Sequence, residues 1–419
     1  MKIGIIDAEI IGAKKHRFPN LVCMKLSSYH KQLGDSVKLL FSYSEVDEYD
    51  KVYISKVFIK TCVPGEENPS EKNETNCEEY YKQNRFLRNP KIVYGGTGFY
   101  YANAPKLADE IEHIMPDYHL YDEWVEECVK HGAKREEFKY YLEYSIGFLT
   151  RGCFRKCQFC VNRVYDRCCA HSNLSEFFDE SRPKLCFLDD NFFACSNWRD
   201  IIKEVIATGK RFQFKQGLDE RLLTEEKVKE LASWKYDGDI IFAFDNIEDR
   251  ELIESKLRLI YDVCPDMKKR LKFYVFTGFD RNEKYDEEFW RTDIINLVER
   301  AIILSKYSAV PYVMRHENYK LSPYSGFYNA VASWCNQPQF FKTFSLEEFC
   351  KCRGMASDGY KKYKKDIDGY LKEFGDKKNA KGSPWRCFDK YVADNGDNEL
   401  FHIIPKYNAK YGPDARSRQ

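Results

Sequence analysis

Three cysteines lie close together in the segment RGCFRKCQFC, with the spacing C-x3-C-x2-C: Cys153, Cys157 and Cys160. Thiolates at this spacing bind soft metals. Three of them can hold three irons of a four-iron four-sulfur (4Fe-4S) cluster and leave the fourth iron without a protein ligand. An iron with an open coordination position can bind and activate another molecule. The motif therefore predicts an iron–sulfur centre that takes part in chemistry.

A structural zinc site is the alternative for the same cysteines. Structural zinc is usually closed by four ligands, which often come from two C-x2-C pairs. This segment has one such pair, so Cys168, Cys169 or His171 would have to supply the fourth ligand. The spacing favours the cluster, and zinc remains the competing interpretation.

The composition fits a folded enzyme that uses reduced thiols. Sixteen cysteines in 419 residues are too few per residue for a disulfide scaffold, although they are many for a cytosolic enzyme without metal ligands. Lys and Arg total 67 against 66 Asp and Glu, and this near balance excludes a global basic field that would attract nucleic acid or anionic lipid. The chain has no long apolar run and no secretory signal at its start, which predicts a cytoplasmic protein with no membrane partner.

The first part of the chain alternates short apolar runs with a helical pattern, which is typical of a parallel, doubly wound α/β sheet. We expect a helix at 21–33 that ends at Gly34, and a mobile polar insertion at 61–89. Residues 1–116 are thus predicted to form a Rossmann-like domain. Its strands are expected at 2–7, 36–43, 51–58 and 91–96.

After a connecting segment at 117–140, with a helix at 121–131, the alternation restarts and predicts a partial (β/α)6 TIM barrel over 141–320. Residues 321–419 are expected to form an extension that caps the barrel mouth, with a solvated charged helix face at 361–365. The barrel strands are expected at 144–150, 184–190, 211–217, 239–245, 271–279 and 310–316. The intervening helices are expected at 198–208, 224–234, 249–264 and 287–306.

The cysteine motif, the strand before it and the β/α units after it together resemble the radical S-adenosylmethionine enzymes. The family signature is C-x3-C-x-aromatic-C, and Phe159 occupies the aromatic position. The resemblance implies that S-adenosylmethionine binds the open iron and is cleaved by one electron to methionine and a 5'-deoxyadenosyl radical. It also implies an electron donor such as flavodoxin or ferredoxin. The substrate stays open among a modified nucleoside, a peptide and a small metabolite.

The resemblance also points to residues that would bind S-adenosylmethionine. The second barrel strand ends in FLDDN, where the family usually has a Gly-Gly-Glu-like segment that receives the amino group of the cofactor. Asp189 and Asp190 are the candidates here, and Asp245 after the fourth strand is a weaker one. A surface salt bridge is the alternative for the pair Asp219 and Arg221. The third strand brings three further candidates to the barrel mouth: Gln216, Asp219 and Arg221.

The first domain resembles the cobalamin-binding-like domain that precedes the barrel in one branch of the family, as in uncharacterised bacterial radical proteins. Gly95 and Gly96 resemble the turn after the fourth strand of that domain, where a ligand can approach the backbone closely. The lower-ligand motif Asp-x-His-x-x-Gly is altered, because Glu9 stands in the histidine position between Asp7 and Gly12. We expect the purified protein to carry no cobalamin.

Three other functions remain as alternatives. A cobalamin-dependent radical methylase would follow if the first domain bound cobalamin. A methylthiotransferase would use Cys23, Cys62 and Cys77 for a second cluster, although their spacing is uneven. A protein of another class would use the metal for structure only and bind a ligand without catalysis. Four later cysteines could hold an auxiliary cluster or be buried thiols: Cys335, Cys350, Cys352 and Cys387.

Overall fold

The computed structural model describes residues 1–12, 16–66, 72–73, 75–352 and 383–405. The chain divides into two compact units, Met1–Gln216 and Gly217–Gln419. Its parallel sheets and interspersed helices confirm the α/β class. The charged face expected at 361–365 lies outside the described residues.

A four-stranded parallel sheet begins the first unit, with the strand order β2–β1–β3–β4. All four strands expected in this region are present. The second one ends four residues early, because Ser42 and Glu45 form a capping box that starts a short 3-10 helix at Tyr43–Glu48. The strands are β1 (Lys2–Asp7), β2 (Ser36–Leu39), β3 (Lys51–Ser55) and β4 (Ile92–Gly95).

The longer helix between β1 and β2 has clear start and stop signals. It spans Leu21–Gln32, and the side chain of Asn20 accepts hydrogen bonds from the backbone N–H groups of Val22 and Cys23. Gly34 follows with a φ of 81°, a conformation that glycine adopts at little cost, and its N–H donates to the carbonyl of Lys31. The expected helix and its glycine stop are confirmed.

The segment expected to be a mobile insertion is instead packed in its described part. It forms a helix at Cys77–Lys82, and the Tyr81 and Leu87 side chains are buried in the apolar cluster beside β3 and β4. Val63 belongs to the same cluster. The segment therefore contributes to the core of the first unit, mainly through rings and single aliphatic side chains.

The second half of the first unit contains a three-stranded parallel sheet, β5–β8–β9, and an antiparallel pair, β6 with β7. The strand expected at 144–150 ends at Gly147, where the ring of Phe177 lies so close that a Cβ on the glycine would meet it at 2.4 Å. The strands are β5 (Tyr144–Gly147), β6 (Thr150–Arg151), β7 (Cys169–Ala170), β8 (Lys184–Phe187) and β9 (Arg211–Phe214).

The second unit contains a parallel sheet of three strands: β10 (Ile240–Ala243), β11 (Leu271–Thr277) and β12 (Val310–Arg315). Its central strand buries every second residue, as in a sheet with a covered face. All six strands expected for the barrel are therefore present, in two sheets of three. Their closure into one partial barrel remains a prediction.

Besides the helix at Leu21–Gln32, five of the longer described helices match the expected positions to within a few residues: Asp122–Lys130, Trp198–Ala207, Glu225–Ser233, Arg250–Val263 and Glu287–Lys306. Two further helices, Ser325–Cys335 and Pro384–Asn395, have no counterpart among the expected ones. The shorter ones span Ala8–Gly12, Cys77–Lys82, Thr97–Tyr100, Asp109–Glu112, Lys139–Leu142, Pro338–Phe341 and Leu346–Cys352. Among the described helices, none has the length and apolar character needed to span a bilayer.

Candidate functional site

The three cysteines of the motif lie in the segment that connects β6 to β7, residues 152–168, which we call the cysteine loop. The two short strands pair Thr150 with Ala170 and Arg151 with Cys169, so both ends of the loop are held side by side. All three thiols are neither fully buried nor fully exposed. The fold thus presents them on one closed loop directly after the first strand of a parallel sheet.

Hydrogen-bond donors point at the sulfurs of Cys153 and Cys160. Cys153 Sγ accepts from the backbone N–H of Arg155 at 3.4 Å, and Cys160 Sγ accepts from that of Asn162 at 3.4 Å. Burial, together with the neighbouring thiols Cys157 and Cys153, raises the pKa of the Cys160 thiol to about 11. Metal binding would therefore release a proton from this thiol, and the N–H donors stabilise the resulting thiolate.

The donor set fits an iron–sulfur cluster in its chemistry, because three thiols share one loop that also supplies N–H groups to sulfur. Within the described residues, no three His, Cys, Asp or Glu side chains converge closely enough to form a complete metal-ion site. The cysteines are thus neighbours on a loop rather than a closed ligand set.

The candidates for a fourth zinc ligand have other surroundings. Burial raises the pKa of the Cys168 thiol to about 12, and His171 Nε2 lies 3.0 Å from a carboxylate oxygen of Glu112. Cys169 is exposed on β7. A fourth ligand for zinc is therefore not assembled beside the three cysteines in the described part of the chain.

Asp189 follows β8 and holds the backbone just before the cysteine loop. It is fully buried, and its carboxylate accepts hydrogen bonds from the N–H groups of Leu149 and Thr150 and from the Thr150 hydroxyl, at 2.6 to 3.1 Å. Burial raises the pKa of this carboxyl to about 7. Both carboxylate oxygens thus have partners inside the protein, and binding of a cofactor ammonium by Asp189 stays a prediction.

Asp190 bonds to the cysteine loop on both sides of the three cysteines. One carboxylate oxygen accepts from the N–H of Gly152 at 2.7 Å, and the other accepts from the side-chain amide of Asn162 at 2.8 Å. These residues flank the three cysteines in sequence. Asp190 therefore holds together the two residues that flank the three cysteines.

Asn191, which sequence reasoning did not single out, contacts a sulfur directly. Its side-chain Nδ2 donates to Cys153 Sγ at 3.3 Å, and the residue is only 3% exposed. The signal in the sequence was its place immediately after the two aspartates in FLDDN. Three consecutive side chains after β8 thus bind three different points in and beside the cysteine loop.

Phe159, in the aromatic position of the motif, is half-buried, and its backbone carbonyl accepts a hydrogen bond from the Tyr101 hydroxyl at 3.0 Å. Tyr101 lies beyond β4, has a φ of 47° and is buried, a strained conformation for a residue with a side chain. Nothing in the sequence pattern identified it. The contact joins the end of the first sheet to the cysteine loop.

The remaining candidates lie outside the loop. Gln216 is exposed and is the last residue of the first unit. In the second unit, Arg221 Nε donates to Asp219 at 2.7 Å, so the pair forms a salt bridge, but Asp219 is buried and not at the surface as that alternative supposed. Burial, opposed by its hydrogen bond to the Phe276 N–H and by the nearby Arg300, raises the pKa of Asp245. Cofactor binding by these four residues remains a prediction.

Two residues that bear on cobalamin binding in the first domain, Glu9 and Gly96, have contacts within the protein itself. The Glu9 carboxylate is buried and accepts from the N–H groups of Val57 and Phe58 and from the Thr61 hydroxyl, at 2.6 to 3.1 Å. Gly96 has a φ of 106°, and a Cβ there would lie 2.3 Å from the Lys56 carbonyl oxygen. Close packing of this protein's own backbone therefore accounts for that glycine.

The cysteines proposed for further clusters differ in how far they are exposed to solvent. Cys23, Cys77, Cys335 and Cys350 are buried, whereas Cys62 is exposed and Cys387 half-buried. Burial raises the pKa of the Cys23 thiol well above its usual value. Cys352 ends the helix Leu346–Cys352, and its side chain lies outside the described residues. Auxiliary clusters at these positions stay predictions.

In comparisons with known proteins, neither a family model nor a curated sequence matches the chain.

Proposed function

We propose that this chain is a radical S-adenosylmethionine enzyme whose 4Fe-4S cluster is held by Cys153, Cys157 and Cys160. The observation that carries the proposal is a single closed loop with three thiols in the C-x3-C-x2-C spacing, bonded to Asp190 on both sides of the three cysteines, at Gly152 and Asn162. When bound, the cluster and S-adenosylmethionine would supply one-electron reductive cleavage of a carbon–sulfur bond. The substrate is an organic molecule of unidentified class, and an acidic one-electron carrier such as flavodoxin or ferredoxin is the proposed donor.

The proposal assigns distinct tasks to the residues around the loop. Asp189 holds the backbone that leads into the loop, and Asp190 bonds to the loop on both sides of the three cysteines. N–H groups of Arg155 and Asn162 stabilise thiolates at two of the ligands. The sheet of β5, β8 and β9 supplies a rigid base for these contacts, as a barrel wall would.

The wider architecture belongs to the same proposal. Strand order β2–β1–β3–β4 suits a Rossmann-like domain, and the six later strands suit a partial (β/α)6 barrel with a C-terminal cap. In this proposal Gln216 and the Asp219–Arg221 pair bind the polar parts of S-adenosylmethionine. The first domain acts as a scaffold without cobalamin, since Glu9 is already bonded to backbone and hydroxyl donors.

The test is anaerobic reconstitution with iron and sulfide. The purified chain should bind about four irons, show a broad brown absorbance, and give a reduced-state electron paramagnetic resonance signal that changes when S-adenosylmethionine is added. Replacing Cys153, Cys157 and Cys160 together by alanine should abolish these signals. Cys169→Ala, which replaces an exposed cysteine on β7 directly after the same loop, is the matched control and should leave them intact.

Two results would contradict the proposal. If the triple alanine variant keeps its full iron absorbance, these cysteines are not the ligands. Alternatively, the chain could bind one zinc ion through these cysteines and no iron, which would favour the metal-stabilised binding protein instead.

A further inference from the structure

The side chain of Asn191 donates a hydrogen bond to a sulfur of the cysteine motif. Its Nδ2 lies 3.3 Å from Cys153 Sγ, within the range of an N–H···S hydrogen bond. The same sulfur also accepts the Arg155 N–H at 3.4 Å. Cys153 therefore receives two donors, one from its own loop and one from the segment after β8.

The position of Asn191 is held by its surroundings. The residue is 3% exposed, and the two residues before it are bonded to the backbone at the entrance of the cysteine loop. A short amide side chain at a buried position has few rotamers, so its N–H group keeps its direction toward the sulfur. The contact is thus a built feature of the fold rather than a surface encounter.

An N–H group beside a metal-bound thiolate has a known electrostatic consequence. The donor stabilises negative charge on sulfur, and a cluster carries more negative charge after it accepts an electron. Such a donor therefore favours the reduced state. Removing it while leaving the thiolate in place disfavours reduction.

We propose that Asn191 is a positioning residue that orients the Cys153 thiolate and makes the cluster easier to reduce. This inference rests on the proposed function, because it assigns a role toward the cluster that the cysteines would hold. It concerns the electron-accepting step and not the substrate. Loss of the donor should lower the midpoint potential of the cluster without removing a ligand.

The test is a redox titration of the reconstituted protein, followed by electron paramagnetic resonance. Asn191→Leu keeps a similar volume and removes the donor, so its midpoint potential should shift to a lower value than that of the parent. Asn191→Asp has nearly the same shape but loses the donor and adds a negative charge, so its potential should shift further in the same direction. Asn197→Leu, an exposed asparagine in the same segment, is the control and should titrate as the parent does.

Potentials of both Asn191 variants equal to that of the parent would overturn the inference, and the proposed function would still stand if all proteins carried the cluster. Absence of a cluster in the parent protein would instead remove the proposed function. If the variants load no iron, hydrogen–deuterium exchange of the metal-free proteins decides. Faster exchange over 152–162 in Asn191→Leu than in Asn197→Leu supports the positioning role, and equal exchange in the two variants overturns it.

Discussion

At the scale of single residues, two neighbouring glycines of one motif differ in whether the structure requires a glycine at that position. Gly95 and Gly96 together suggested a turn that a ligand could approach. A Cβ at Gly95 would meet no atom within 4 Å, whereas one at Gly96 would collide with the Lys56 carbonyl oxygen at 2.3 Å. The second glycine is required by the packing of the protein on itself, and the first is not.

These positions give a paired prediction. Gly96→Ala should destabilise the fold by about 2 kcal/mol or more, because it adds both a collision with backbone and a residue with positive φ. Gly95→Ala should change the free energy of unfolding by less than about 1 kcal/mol. Urea denaturation followed by circular dichroism measures both. Equal losses in the two variants would show that the Lys56 carbonyl does not impose the glycine.

Residue types and spacing identified the cysteine motif and pointed to the acidic segment after β8, since both are local in sequence. They could not show which atoms the aspartates bind, because Asp189 and Leu149 are forty residues apart and meet only through sheet pairing. Tyr101 and Asn191 were missed for the same reason. Their contacts with Phe159 and Cys153 are products of the tertiary fold.

At the scale of elements, the sequence predicted strands and helices well where apolar residues repeat regularly. It failed at 61–89, where few aliphatic residues occur and the burial is carried by Tyr81, Leu87 and Val63. Aromatic side chains bury large areas one at a time, so a periodic pattern is not needed. The composition of the segment is polar on average, so it gives no sign of these individual buried side chains.

The packed state of this segment is testable. Leu87→Ala should lower the free energy of unfolding by about 2 to 4 kcal/mol, because it leaves a cavity in the cluster beside β3 and β4. Lys82→Ala, at an exposed position of the preceding helix, should change it by less than about 0.5 kcal/mol. Chemical denaturation of both variants provides the comparison. A loss below about 1 kcal/mol for Leu87→Ala would mean that the segment is detached, as the sequence first suggested.

At the scale of the whole molecule, the sequence predicted the α/β class and the positions of the strands along the chain. It could not predict how the six later strands divide between two sheets, because periodicity shows that a strand exists and not which edges pair. Burial of ionisable groups is equally invisible in sequence. Asp7 is fully buried and accepts from the Tyr121 hydroxyl at 2.8 Å, and burial raises the pKa of its carboxyl to about 7.

This buried carboxyl predicts a pH effect on stability. The folded protein binds the Asp7 proton more tightly than the unfolded chain does, so the stabilisation it gives is complete below about pH 4 and is lost as the pH rises through about 7. Each unit of pKa difference corresponds to about 1.4 kcal/mol. Asp7→Asn does not titrate, so the free energy of unfolding of this variant relative to the parent should increase from pH 4.5 to pH 8.

Urea denaturation of the parent and of Asp7→Asn at several pH values in that range measures the difference directly. Subtracting the two proteins cancels the titration of all other groups and leaves that of Asp7. A difference that stays constant with pH would show that this carboxyl is ionised in the folded protein.

The antiparallel pair of β6 and β7 has a consequence for the thermodynamics of the loop it closes. Bringing together the ends of residues 152–168 costs chain entropy, which grows by about 0.6 kcal/mol for each doubling of loop length. In this protein that entropy is lost during folding, when Thr150 pairs with Ala170. A free peptide of the same sequence would lose it on binding metal. The folded chain therefore loses less chain entropy on binding metal than the same residues in a free peptide would.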